Sequence, residues 1–302
     1  MSGPIIGVDW GTTNLRAFRF SDTGGVLETR RSTAGVGSVL GGAFEATLCE
    51  VVGDWLKPDT RVFISGMAGS REGWIEAPYL PCPADITNLS EALIAAPTKR
   101  LAEAWIAPGL RADRADGIGE IMRGEETQIF GALEAHAPAI VIAPGTHSKW
   151  ARVKDGRVLD TRTYMTGELY ALLKTRSILS RLINSDDNNL EAFVLGVRRS
   201  LANPTLLNLL FTARSEGLLG HLAPRALSSY LSGLLIGAEI AEGIAQQKLS
   251  TDASILIVAA PELAQSYHTA LDRAGFTRVE IMNGEEAAAR GLWRLARLRS
   301  QR

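Results

Sequence analysis

Apolar and polar positions alternate in short runs over the N-terminal third of the chain. "IIGVD" (Ile5 to Asp9), "LRAFRF" (Leu15 to Phe20) and "GVLETR" (Gly25 to Arg30) are separated by turn residues, which predicts an antiparallel meander. The spacing then changes. In "EATLCEVVGDWL", Leu48, Val51, Val52 and Trp55 fall on one face of a helix. "RVFIS" is the next strand, and it runs into "GMAGSREGW", a glycine loop at the carboxyl edge of a strand, where α/β sheets place ligands. "TQIFGALEAHA" predicts a short helix with Ile129, Phe130 and Leu133 on one side. "AIVIAPGTHSKWARV" predicts strand, turn and strand, and "GRVLDTRTYM" extends that set. From about Gly167 to Gln247 the pattern is mostly helical. Leu227, Leu231, Leu234, Ala238, Ala241 and Ala245 form one stripe. Gly233 and Gly237 lie within it, each costing about 1 kcal/mol against Ala, so close packing on another backbone is expected there. "SILIVAA" is apolar without alternation, the pattern of a strand buried on both faces. A helix ending at Gly275, a strand "TRVEIMN" and a closing helix "GEEAAARGLWRLARL" complete the chain.

Bulk composition narrows the function classes. A chain of 302 residues with 46% apolar residues has room for two domains and a full core. Its net charge of -1 gives no electrostatic reason to expect nucleic acid or an anionic membrane. Cys49 and Cys82 have no CxxC spacing and read as reduced thiols. The N-terminus has no leader pattern. The most apolar run, "LSGLLIGAEIA", is short for a membrane span and carries Glu239, so a soluble cytoplasmic protein is expected.

An internal repeat bears most directly on chemistry. Ile6 to Asn14, "IGVDWGTTN", aligns with Ile140 to Ser148, "IVIAPGTHS", so that Gly11 falls on Gly145, Thr12 on Thr146 and Asn14 on Ser148. Each copy reads as strand, tight Gly-Thr turn, strand. A turn with a bare glycine lets successive backbone N–H groups point at one anion, and nearby hydroxyls add donors. Gly11, Thr12, Thr13 and Asn14, and Gly145, Thr146, His147 and Ser148, are therefore candidate phosphate ligands. Asp9 stands only in the first copy. Mg²⁺ favours one or two carboxylates completed by phosphate oxygens and water, so Asp9 is the candidate metal ligand.

The order of phosphate hairpin, helix, second phosphate hairpin, apolar strand and helix, and closing helix resembles the actin-like ATPase and sugar-kinase superfamily that includes the hexokinases. "DWGTTNLRA", "GMAGSREGW", "APYL", "MRGEETQ", "PGTHSKW", "MTGEL" and "LSGLLIGAE" together resemble the 2-dehydro-3-deoxygalactonokinase family over nearly the whole chain. The resemblance implies an α/β, two-domain actin-like (ribonuclease H-like) fold with a duplicated core and an interdomain cleft. The expected division is 1–122 with 284–302, and 123–283. It also implies ATP and Mg²⁺ as cofactors and transfer of the γ-phosphate to the 6-hydroxyl of 2-dehydro-3-deoxy-D-galactonate. Another 2-keto-3-deoxy sugar acid, or a non-catalytic sugar-acid sensor, is the alternative. The partners expected are a sugar acid and a nucleotide, with a homodimer as a candidate assembly.

Such a kinase needs a carboxylate near the accepting hydroxyl. "RGEETQ" supplies Glu125 and Glu126. Sliding the hexokinase Asn-Asp-Thr run onto Glu125-Glu126-Thr127 favours Glu126 as base, with Glu125 the close alternative. Both acids would also suit a helix N-terminus without any catalytic part. Arg16 and Arg123 are candidate substrate ligands because guanidinium binds carboxylate bidentately. Arg123 could equally meet the transferring phosphoryl group. Ser70 is a further substrate candidate, while Arg71 reads equally as a solvated surface arginine. Lys149 could touch phosphate or point away. Glu168 is either a sugar-hydroxyl ligand or a helix-start acid. His136, His221 and His268 read as structural. Ala260 and Pro261 occupy the adenosine loop, where the family pattern usually has glycine. A Cβ at Ala260 suggests weaker nucleotide binding, and a positive φ there would be strained.

Overall fold

The computed structural model describes residues 3–114, 116–133, 137–183, 187–203 and 205–301. His136 lies outside the described residues. The chain begins with β1 (Ile5–Trp10), β2 (Leu15–Phe20), β3 (Val26–Ser32), α1 (Phe44–Val52) and β4 (Arg61–Gly66). β5 (Tyr79–Pro81), α2 (Ile86–Glu91), β6 (Ile94–Ala95), β7 (Glu103–Ile106), β8 (Gly109–Asp113), β9 (Gly119–Met122) and α3 (Glu125–Ala132) follow. Next come β10 (Ile140–Ala143), β11 (Ser148–Lys154), β12 (Arg157–Tyr164), α4 (Thr166–Arg176), α5 (Leu190–Ala202), α6 (Leu206–Leu218) and α7 (Leu227–Gln247). β13 (Ile255–Ala259), α8 (Pro261–Arg273), β14 (Val279–Asn283) and α9 (Gly284–Ser300) close the chain.

The duplication read from two Gly-Thr turns extends to sheet topology. One sheet runs β3-β2-β1-β4-β7-β6 and another β12-β11-β10-β13-β14. In each, a hairpin pair has a third strand outside it and a later strand added beside its first member. The later strand is parallel to that member in both cases: β4 beside β1, and β13 beside β10. β1 to β3 form the antiparallel meander expected from their alternation. β13 is buried at all five positions, as a strand covered on both faces must be. A small sheet, β5-β8-β9, completes the set.

Contacts divide the chain into two compact units: Met1–Pro138 with Ala151–Arg162 and Met282–Arg302, and Ala139–Trp150 with Thr163–Ile281. α3 belongs to the first unit, on the other side of the division expected at residue 122. The reason is backbone contact with α9. A Cβ on Gly131 would stand 1.9 Å from the Ala287 carbonyl oxygen, and one on Gly291 2.0 Å from that of Thr127. The first core gathers Val8, Trp10, Leu48, Ile64 and Ile106. The second gathers Ile142, Trp150, Ile236, Ile257 and Tyr267.

Gly233 and Gly237 do mark close helix packing. A Cβ on Gly233 would lie 2.1 Å from the Phe193 carbonyl oxygen, and one on Gly237 2.9 Å from the Val197 Cα, both on α5. The α7 stripe is buried from Leu227 to Ala238, but Ala241 is only half-buried and Ala245 is exposed. Burial shifts at that end of the helix to Ile240 and Gly243, which pack toward Trp150. Cys49 and Cys82 are free thiols, and burial pushes Cys82 up to about 11. Among the described residues no helix is long and apolar enough to cross a membrane.

Candidate active site

The first Gly-Thr turn joins β1 to β2. It is closed by the Gly11 N–H donating to the Asn14 carbonyl at 2.8 Å. A loop that the sequence reading passed over braces it. The Val36 N–H donates to the Gly11 carbonyl and the Gly37 N–H to the Thr12 carbonyl, both at 3.0 Å. Gly35 makes this approach feasible, since a Cβ there would meet the Thr12 carbonyl oxygen at 2.3 Å. The turn's carbonyls are thereby used, while Thr12, Thr13 and Asn14 stay exposed. Among the described residues no backbone carbonyl accepts from the Thr12 or Thr13 N–H. Such N–H groups are available to an anion.

Asp9, at the end of β1, sits between Arg16 of β2 and Ser65 of β4. It is buried, with Oδ2 3.2 Å from an Arg16 guanidinium nitrogen. The approach lacks hydrogen-bond geometry, so among the described residues Oδ2 has no hydrogen-bond partner. Burial pushes the carboxyl above its usual range, Arg16 pulls it back, and Glu285 adds to the rise. A buried carboxylate oxygen without a donor, beside a phosphate-type turn, fits a hard divalent cation. Among the described residues no cluster of three His, Cys, Asp or Glu side chains could hold a metal. A cation at Asp9 would therefore draw its other ligands from phosphate and water. Arg16, partly exposed, is occupied with Asp9.

The loop after β4 and the start of α3 meet at backbone distance. Gly66 and Gly124 have φ of +94° and +108°, and a Cβ on Gly124 would lie 3.2 Å from the Gly66 Cα. Only glycine suits both demands. Arg123, one residue earlier, is 9% exposed. Its guanidinium carbon lies 4.2 Å from the Tyr79 ring centroid, and its Nη2 donates to the Ala77 carbonyl at 2.7 Å. Among the described residues its buried Nη1 has no hydrogen-bond partner, and neither has the Ser70 Oγ. Nη1 packs over Gly69, where a Cβ would come within 2.9 Å. Arg71 is by contrast exposed and lies 3.6 Å from Glu76, a surface pair.

The two acids of α3 differ sharply. Glu126, favoured by the sequence alignment, is 0% exposed. Its side chain turns back on its own helix start, accepting the Gly124 N–H at 2.6 Å and the Thr127 hydroxyl at 3.0 Å. Glu125 is partly exposed and accepts the Arg123 N–H at 3.2 Å. Burial, with the Glu125 charge second, raises the Glu126 carboxyl from 4.5 to about 8. The folded chain thus holds a proton that the unfolded chain releases near the ordinary value. The stability linked to that proton is complete below the unfolded value and lost as pH rises through the folded one. Melting temperature should fall between about pH 5 and pH 8. Glu126→Gln should flatten this slope in a calorimetric pH series. An unchanged slope would place the proton elsewhere.

The second turn lies between β10 and β11. Gly145, Thr146 and His147 are exposed, but Ser148 is fully buried. Its hydroxyl, expected at phosphate, donates instead to Glu239 at 2.7 Å. Lys149 is buried and donates to the Thr163 hydroxyl at 3.2 Å. His147 Nε2 and Glu168 Oε2 are 2.5 Å apart, so two residues expected at different ligands hold each other. α4 braces this turn much as the Gly35 loop braces the first. The Glu168 N–H donates to the Thr146 carbonyl at 2.9 Å, and a Cβ on Gly167 would stand 2.3 Å from the Gly145 carbonyl oxygen. Glu239, which the sequence reading used only to exclude a membrane span, is the buried acid beneath this turn.

Beyond β13, Ala260 is exposed with φ -63° and ψ 148°, and Pro261 opens α8. This is ordinary extended backbone that any residue adopts, so the strain feared at Ala260 is absent. A cavity of about 590 Å³ lies beside the first turns of α8, lined by Pro261, Glu262, Gln265 and Ser266 with Lys174 and Ser232. Its size suits a nucleoside.

A duplicated sheet with two braced, exposed Gly-Thr turns and a buried acid beside the first has the parts that a phosphotransferase needs. Residues 9–295 match the family described as 2-keto-3-deoxy-galactonokinase. The chain belongs to that family of sugar-acid kinases. It is 37% identical over 296 residues to the 2-dehydro-3-deoxygalactonokinase of Escherichia coli K12, covering 98% of each. A Sinorhizobium meliloti crystal structure described as a 2-dehydro-3-deoxygalactonokinase is similar at a TM-score of 0.87 and 34% identity, covering 97% of this chain and 98% of that one. The activator of 2-hydroxyisocaproyl-CoA dehydratase from Clostridium difficile, with ADPNP bound, shares the fold alone. Its TM-score is 0.54 at 10% identity, with 99% and 97% of the two chains covered.

Proposed function

We propose that this chain transfers the γ-phosphate of Mg-ATP to the 6-hydroxyl of 2-dehydro-3-deoxy-D-galactonate in the cytoplasm. The observation that carries the reading is the Arg123 guanidinium. It is buried and stacked, held by Nη2 on the Ala77 carbonyl and Nε on the Tyr79 hydroxyl, and among the described residues its Nη1 lacks a partner, two residues before the half-exposed Glu125. A buried cationic donor left open is costly unless a ligand fills it. A carboxylate is the group that matches it. Ser70, also unpartnered, adds a hydroxyl for the substrate's oxygens.

In this scheme Glu125 takes the 6-hydroxyl proton as that oxygen bonds to the γ-phosphorus and the bond to the ADP oxygen breaks. Glu126 holds the Gly124 turn from below. Each Gly-Thr turn, taken by itself, is a phosphate receptor: Gly11 to Asn14 in one and Gly145 to His147 in the other. Asp9 would hold Mg²⁺, which supplies neutralisation of phosphate charge, and Arg16 screens Asp9 until the cation arrives. The cavity beside Ala260 and Pro261 takes the nucleoside. The unstrained backbone at Ala260 removes the feature that favoured a non-catalytic sensor.

Coupled ADP release tests the reading with 2-dehydro-3-deoxygalactonate, its gluconate epimer and a neutral hexose. The galactonate-derived acid should give the highest kcat/KM, and the neutral hexose at least about a hundredfold less, the cost of leaving a charged donor unpaired. Equal turnover of the neutral sugar would overturn the assignment. Preference for the gluconate epimer would move it to that acid.

A further inference from the structure

Glu239 lies on α7, in an otherwise apolar stretch, and the chemistry above makes no use of it. Its carboxylate is 3% exposed and accepts from four side chains. Ser148 Oγ and Trp150 Nε1 each donate to Oε1 at 2.7 Å. Tyr267 Oη donates to Oε2 at 2.6 Å, and Thr166 Oγ1 donates to the same oxygen. An ionised carboxylate offers about four lone-pair sites, and here all are taken. Burial pushes its pKa up, and the four donors work against that. Burying such a group is unfavourable unless it is fully bonded, and replacing it by an apolar side chain would leave four orphaned donors.

Three of the four donors adjoin the second turn, its brace or the cavity. Ser148 directly follows the exposed turn residues Gly145 to His147. Thr166 directly precedes Gly167 and Glu168, which brace the turn's carbonyls from behind. Tyr267 belongs to α8, whose first turns line the cavity beside Pro261. We infer that Glu239 is a positioning residue: it clamps the β11 end of the second Gly-Thr turn to the start of its α4 brace, keeping the turn's N–H groups aimed at nucleotide phosphate, and ties them to α8. The first turn has its acid at the ligand-facing end of β1. The second has an acid underneath, and that acid holds the receptor without touching the ligand. This inference rests on the second turn binding phosphate, and the test separates the two.

Three single variants of the full chain and one double variant suffice, with KM measured separately for ATP and for the sugar acid, and with melting temperature. Gly145→Val tests the reading itself, because nothing lies within 4 Å of a Cβ there and the side chain would project only into the ligand's space. It should raise the ATP KM by about tenfold or more. Glu239→Gln keeps the shape, and the Thr166 and Tyr267 hydroxyls can turn to accept from the amide, so folding is retained. It should raise the ATP KM about tenfold and leave the sugar-acid KM within about twofold. Ser148→Ala, the milder variant, should raise the ATP KM about fivefold. In the double variant the two effects should not multiply: its ATP KM should lie within about twofold of the larger single, because Ser148 acts through Glu239. Multiplying effects would mean that Ser148 meets phosphate directly, and would overturn the positioning role. A fall in melting temperature with ATP KM unchanged would also overturn it, leaving Glu239 as core only. If Gly145→Val leaves the ATP KM unchanged, phosphate binding by the turn is what fails.

Discussion

Glu125→Gln is expected to lower kcat by about 10²- to 10⁴-fold, the usual contribution of a positioned proton acceptor. Neither KM should move much, because the amide keeps the shape and can still accept a hydrogen bond. The companion Glu126→Gln should keep kcat within about tenfold and show its effect in the pH dependence of stability. The contrast follows from geometry. A base must reach the hydroxyl it deprotonates, and Glu126 is fully enclosed with its oxygens committed to Gly124 and Thr127. Glu125 stands one residue nearer the surface, anchored by the Arg123 N–H. The adjacency also couples them, since the Glu125 charge helps keep Glu126 protonated. Single-turnover rates for both variants give the answer. If the loss falls on Glu126→Gln and not on Glu125→Gln, the base is Glu126, and its side chain must leave its pocket for each turnover.

Arg123→Lys is expected to reduce kcat/KM for the sugar acid by about 10- to 100-fold, mostly through KM, with the ATP KM within about twofold. Lysine retains the charge but not the fork. Arg123 holds Nη2 on the Ala77 carbonyl and Nε on the Tyr79 hydroxyl while its guanidinium lies over the Tyr79 ring, and among the described residues its buried Nη1 has no partner. An ammonium group cannot hold both positions. Ser70→Ala should produce a smaller change of the same kind. Steady-state kinetics with each substrate varied in turn separates the alternatives. A fall in kcat at constant KM would assign Arg123 to the transferring phosphoryl group. Unchanged kinetics would make it a structural stack only.

Much of the scaffold is legible in the sequence because local pattern and global position agree there. The two Gly-Thr turns stand out since each interrupts an apolar run with the same small residues, and their duplication carries through to identical strand order around them. Gly233 and Gly237 announce a helix contact because glycine in a helix interior has a cost that packing must offset. The site is less legible because side-chain direction depends on distant partners. Two acids at a helix start look equivalent, yet one is fully buried and the other keeps part of its surface exposed. Ser148 looked like a phosphate ligand by alignment with Asn14. The period-two rule offered a better signal: Ser148 and Trp150 share a strand face, and a tryptophan there points inward. Glu239 carried a signal of its own, a lone acid in "LLIGAEIA", but its four partners come from β11, α4 and α8, which no local pattern connects. The placement of α3 was lost for a similar reason. Gly131 is informative only once Ala287, more than 150 residues later, is brought beside it.

That last contact bears on the order in which the molecule can be completed during synthesis. The ribosome releases α3 long before α9, and the Thr127 carbonyl stays without its Gly291 neighbour until the final residues emerge. The second compact unit ends at Ile281 and has all of its segments in hand by then. The first begins at the N-terminus and still needs Met282–Arg302. The unit that is started first is therefore the one that closes last, and α3 stays without its α9 partner from the time it is made until that closing helix follows it.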